Sequence, residues 1–206
     1  MCQHQGLSVL ENIEGFFQAF SVNVSVGFLT MLIGLPIGFL TAAIRFYFSG
    51  WAARLVGFLI GFLRAFPVFV LMFLAVNFLA SVGVFEILGN DYASQLALIV
   101  ALLAYTISAC SDAALTFFRY RALGQMHQAW LLIPNMFQIF VITVVDTGFG
   151  AAIGVKEAVT FTLALSESYE TRIERISLLI VVILFFATTL ALSKRFIAKM
   201  SVRIQQ

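Results

Sequence analysis

Long apolar stretches separated by short polar ones dominate the chain, and their lengths predict its elements. A helix rises about 1.5 Å per residue, so about 20 apolar residues cross a hydrocarbon core of about 30 Å. Four stretches reach that length, at 16–44, 65–85, 92–118 and 176–193. Gly15 to Ile44, Ala65 to Phe85, Tyr92 to Ser111 and Ile176 to Ser193 carry no charge. A fifth stretch, 130–165, is long enough but irregular: it holds Asp146, Lys156, Glu157 and the glycine-rich run from Thr147 to Gly154. The pattern predicts an all-α membrane bundle of five spans in one domain, 1–206, with the fourth span interrupted.

Composition turns that expectation into an exclusion. Of 206 residues, 62% are hydrophobic and 11% charged, where soluble domains carry about 25% charge. Folding would leave roughly a third of the extended chain's surface exposed, and so few charges cannot cover it in water. The net charge of +2 is spread over short clusters, which gives no basic face for nucleic acid. Cys2 and Cys110 lack ligand spacing to each other, to His4 or to His127, so neither a disulfide framework nor a metal site is expected. Cys2 remains a weak acylation candidate. Glu11 and Glu14 precede the first span, which outruns a signal-peptide core and is therefore expected to be retained.

Short loops rich in Lys and Arg stay cytoplasmic. Arg45, Arg54 and Arg64 follow the first span, Arg119 and Arg121 the third, and Lys194, Arg195, Lys199 and Arg203 the fifth, which makes nine of the twelve basic residues. Glu11, Glu14, Glu86, Asp91, Glu167, Glu170 and Glu174 fall on the alternate loops. An outside N-terminus and a cytoplasmic C-terminus at Gln206 follow.

Ionisable residues at membrane depth face a bundle interior or an aqueous path. Asp146 and Lys156 lie ten residues apart, about 15 Å along a regular helix, so they meet only if the glycine run breaks it. Broken helices are tolerated where they line water. Asp146, Lys156 and Glu157 are therefore candidate path residues, with Lys156 and Glu157 serving different neighbours. The alternative is that the fourth span ends near Gly148 and leaves that pair at the outer interface. Asp112 reads as an interfacial acid near basic residues, Arg64 and Pro67 as a helix start, and His127 as a loop histidine. Gly34 and Gly38, four apart, mark a face for close helix approach, either to another subunit or within this chain.

At Arg64-Ala65-Phe66-Pro67-Val68-Phe69 the chain resembles the permease subunits of ABC importers for polar amino acids, in which Arg-Gly-x-Pro-Leu-Leu opens the second span. Ala104-Tyr105 is similar to the family's mid-span aromatic. The run from Ala122 to Pro134 resembles a shortened form of its cytoplasmic coupling loop, and Lys156-Glu157 its lysine-acid pair late in the fourth span. The resemblance implies a type I importer permease in the bacterial inner membrane that works by alternating access. It adds Tyr105 to the candidate path. It assigns ATPase coupling to Arg119, Arg121, Leu123, Gly124, Gln125, Met126, Gln128 and Trp130, and motif roles to Arg64, Pro67 and Pro134. Its implied partners are a second permease subunit, identical or a sister, two ATPase subunits and an external solute-binding protein. The chain has no Gly-x-x-x-x-Gly-Lys-Ser/Thr loop, so it is expected to be no enzyme and to bind no cofactor, with ATP and Mg held by the partner ATPase. Two other readings remain: a small secondary transporter or channel acting alone, and a non-transporting membrane subunit.

Overall fold

The computed structural model describes the backbone of residues 2–205 and the side chains of residues 11–204. The side chains of Cys2, His4 and Gln206 lie outside the described residues. Helices make up nearly all of the described chain, and no strand occurs among the described residues. They are α1 (Cys2–Tyr47), α2 (Trp51–Ala65), α3 (Val68–Ser81), α4 (Val84–Ala122), α5 (Met126–Ala129), α6 (Leu132–Asp146), α7 (Ala158–Glu167) and α8 (Arg172–Gln205). A 3-10 segment, Thr147–Ile153, continues α6. Four helical stretches are long and apolar enough to cross a membrane, beginning at Glu11, Val84, Met126 and Arg172. The pair α2–α3, bent by 95°, makes a fifth if counted as one broken span.

That bend has a local cause. A residue before proline is pushed out of the helical region, and Phe66, ahead of Pro67, is extended at φ −78°, ψ 127°. Pro67 then serves as the N-cap of α3. The helix start expected at Ala65 therefore lies at Val68, and Arg64 closes the preceding helix instead of opening the span. The α2 helix was read from the sequence as part of a loop. Its fifteen residues fall short of a crossing, and only Ile60 is buried.

The bundle is built around α4, which packs most extensively on α1 and next on α3. Glycine sets the α1–α4 distance. A Cβ on Gly34 would lie 2.7 Å from Thr106 Cγ2, and one on Gly38 would lie 2.5 Å from Cys110 Cβ. The small-residue face of α1 is thus used within the chain. Gly34 meets Thr106 and Gly38 meets Cys110, so α1 and α4 run parallel. Gly27 abuts Val144 while Met31 clusters with Ile139, so α6 runs antiparallel to both. This alternation gathers Arg45, Arg64, Arg119 and Arg121 at one end of the bundle. Along α8 no described residue is buried. Phe185 stands edge-on to Phe16 and Phe20, and Phe196 packs near Phe137.

Candidate functional site

Polar side chains of two helices, separated in sequence, converge on one face between α4 and α6. Tyr105, Asp112 and Thr116 recur at helical spacing along α4, as do Asn135 and Gln138 along α6. Together they line an open concavity of about 300 Å³. Asp146 lies on the same stripe of α6, eight residues beyond Gln138 and thus two turns away. It is half-buried and makes no side-chain hydrogen bond or ion pair among the described residues. An unpaired carboxylate at membrane depth can attract a cationic group.

At the basic end of this concavity Asp112 holds two arginines. Arg45 of α1 donates to Asp112 Oδ1 at 2.9 Å and to Ser111 Oγ at 3.1 Å, and Arg64 of α2 donates to Asp112 Oδ2. The cluster ties three helices where the concavity opens. The arginine of the Arg-x-x-Pro motif is thus an ionic partner of α4, which sequence spacing could not reveal.

Lys156 and Glu157 separate as adjacent residues with different neighbours. Lys156 is exposed and pairs with Asp91 at 2.8 Å. The sequence places Asp146 and Lys156 at an internal cavity or a subunit interface with a departure from regular helix between them; the stretch between them is a 3-10 segment, which Gly154, left-handed at φ 80°, ends two residues before Lys156. Glu157 is wholly buried. Its carboxylate accepts from Asn23 Nδ2 and Val159 N, each at 2.9 Å, and from Thr160 N at 2.9 Å, while Asn23 also donates to Thr147 Oγ1 and accepts from Ala158 N. Glu157 therefore caps α7 and fastens it to α1, with no face open to a solute in this conformation.

The stretch from Arg119 to Pro134 forms a helix end, a turn and a short helix. Arg119 and Arg121 occupy the last turn of α4, Leu123 caps it, and Gly124 is left-handed at φ 73°. Gln125 N-caps the single turn of α5, which holds Met126, His127 and Gln128, and Trp130 follows as its C-cap. Leu123, Met126 and Trp130 are exposed, while Pro134 is buried in the first turn of α6. No group of three His, Cys, Asp or Glu that could hold a metal occurs among the described residues.

No family model and no curated protein sequence matches the chain. A solved structure does: a crystal structure of an amino acid ABC transporter with histidines, at TM-score 0.67 and 18% identity, over 96% of this chain and 97% of that one. The chain shares the fold of that structure. At this identity the likeness concerns the course of the helices and not the side chains. Within that fold, sequence reading named Tyr105 and Asp146 but missed Asn23, Asn135 and Gln138. Their spacing, one turn apart and eleven and eight residues before Asp146 on the same face of α6, was the available signal for Asn135 and Gln138.

Proposed function

We propose that the chain is a permease subunit of an ATP-driven importer for small polar solutes, amino acids among them. The fold likeness over nearly the full length of both chains carries this reading, and the solute class is that of the amino acid transporter it resembles. The concavity bounded by Tyr105, Asp112, Asn135 and Gln138, with Asp146 beyond it, would form this chain's half of a path completed by a second permease subunit. ATP and Mg would be bound by two partner ATPases, and an external binding protein would deliver the solute. The chain would lie in the bacterial inner membrane with its basic end in the cytoplasm.

In mechanical terms, an ATPase would engage exposed Leu123, Met126 and Trp130, and α5 would pass its displacement to α4 and α8, against which it packs. Asp112, Arg45 and Arg64 would have to rearrange if α1, α2 and α4 move relative to one another. That is a rigid-body switch between two access states. Asp146 favours a second reading, in which the chain alone couples a proton or cation to transport. Purification in mild detergent followed by uptake into proteoliposomes separates the two. A copurifying ATPase and uptake that depends on ATP support the importer, whereas uptake by the lone chain under an ion gradient overturns it.

A further inference from the structure

An apolar groove lies away from the α4–α6 concavity, at the end of the bundle opposite the arginine cluster. Its volume is about 400 Å³, and α1, α7 and α8 line it with Phe16, Phe17, Leu165, Leu178 and Phe185, with Tyr169 at the rim. Phe161 lies over Gly15, where a Cβ would come within 2.7 Å of its ring, and so closes the side against α1. Among its few polar groups, the Thr162 hydroxyl already donates to Ala158 O at 2.7 Å. Water filling such a groove would find few partners.

One cation tops this groove. Arg175 donates through Nε to Tyr169 O at 2.8 Å, which fixes its guanidinium beside the rim. Leu178, Val182 and Phe185 follow Arg175 at steps of three, four and three residues, so the groove-lining stripe of α8 ends in that arginine. Nearby Glu174 accepts from Thr171 N and Oγ1, while Arg175 has no acidic partner among the described residues. Glu167, Glu170 and Arg172 between α7 and α8, and Glu11 and Glu14 beside Asn12 and Ile13 on α1, are the other charges nearest in sequence to the lining residues. From Leu178 to Phe185 the stripe runs about 10 Å, roughly two-thirds of one leaflet's hydrocarbon depth.

We propose that this groove is a phospholipid site, with one acyl chain along α8 and the lipid phosphate on Arg175. An apolar slot capped by a fixed guanidinium matches the order of groups in a phospholipid, in which a charged phosphate sits directly above a long hydrocarbon. Arginine also presents paired donors suited to phosphate. The site is independent of any transport role.

Native mass spectrometry of the full chain released from detergent micelles tests it, with palmitoyl-oleoyl phosphatidylethanolamine and the matching diacylglycerol as probes. The wild type should retain one phosphatidylethanolamine and about tenfold less diacylglycerol, a ratio suited to one charge-assisted contact. Arg175→Gln should bring the phospholipid down to the diacylglycerol level. Leu165→Trp and Val182→Trp, each filling the slot and each checked for unchanged elution and helicity, should reduce both probes. Equal retention by the wild type and Arg175→Gln overturns the proposal. So does an intermolecular disulfide formed by Leu165→Cys in lipid vesicles, since a second copy would then cover the groove.

Discussion

At the scale of single residues, neighbours in sequence can have unrelated roles, and Lys156 and Glu157 make the case. An exposed ion pair such as Lys156–Asp91 contributes about 0 to 1 kcal/mol, so Lys156→Met should leave thermal stability nearly unchanged. On the surface placement, uptake should also persist, and loss of uptake at normal protein level would put Lys156 back in the path. Asn23→Ala should behave in the opposite way. It strips Ala158 N of its buried acceptor, at about 1 to 3 kcal/mol when left unsatisfied, and removes one donor from Glu157, which keeps Val159 N and Thr160 N. A melting temperature within experimental scatter of the wild type would refute that role for Asn23. The Asn23–Glu157 link was not legible in the sequence, because one amide inside an apolar run gives no sign of a partner 134 positions away. Asp112 was legible as an acid near arginines, but which arginines it holds depends on how α1 and α2 fold back on α4.

At the scale of elements, run length located the long helices because hydrocarbon thickness imposes it. The same rule fails for α2, whose fifteen residues and two arginines look like a loop, and for the boundary at Pro67, where a continuous apolar run hides a 95° turn. Glycine spacing was legible as a contact face, but its partner was not, since an α1–α4 seam and an intersubunit seam require the same small residues. The structure makes the difference measurable. Gly38→Ala forces a methyl against Cys110 and its backbone, an overpacking that costs about 1 to 3 kcal/mol. Gly57→Ala on α2 meets nothing within 4 Å, and should be neutral or stabilising by up to about 1 kcal/mol through helix propensity. Thermal melts of the two variants in the same detergent check the contrast, and equal melting temperatures would contradict the seam.

At the scale of the whole molecule, the distribution of charge predicts how the bundle sits in its bilayer. The parallel course of α1 and α4 gathers Arg45, Arg64, Arg119 and Arg121 at one end, which the positive-inside tendency would place in the cytoplasm. Cysteines introduced at Arg121 and Glu170 should react with an impermeant reagent from opposite sides, Glu170→Cys in intact cells and Arg121→Cys only after permeabilisation. Labelling of both from one side would overturn the orientation. The fold class was legible because composition and span length both follow from the lipid solvent. The polar concavity was only half legible, since its two walls come from helices whose relative rotation no single-helix pattern encodes.

The way α8 is attached has a consequence for movement. No hydrogen bond joins α8 to α1 or α6 among the described residues, and its contacts with them include phenylalanine edges and faces. Such contacts carry no register, because a ring displaced along its neighbour exchanges one dispersion contact for another without leaving a donor or acceptor stranded. The α1–α4 seam is indexed by glycines, and α7 is pinned by Glu157. Sliding of α8 along α1 and α6 would therefore strand no hydrogen bond among the described residues.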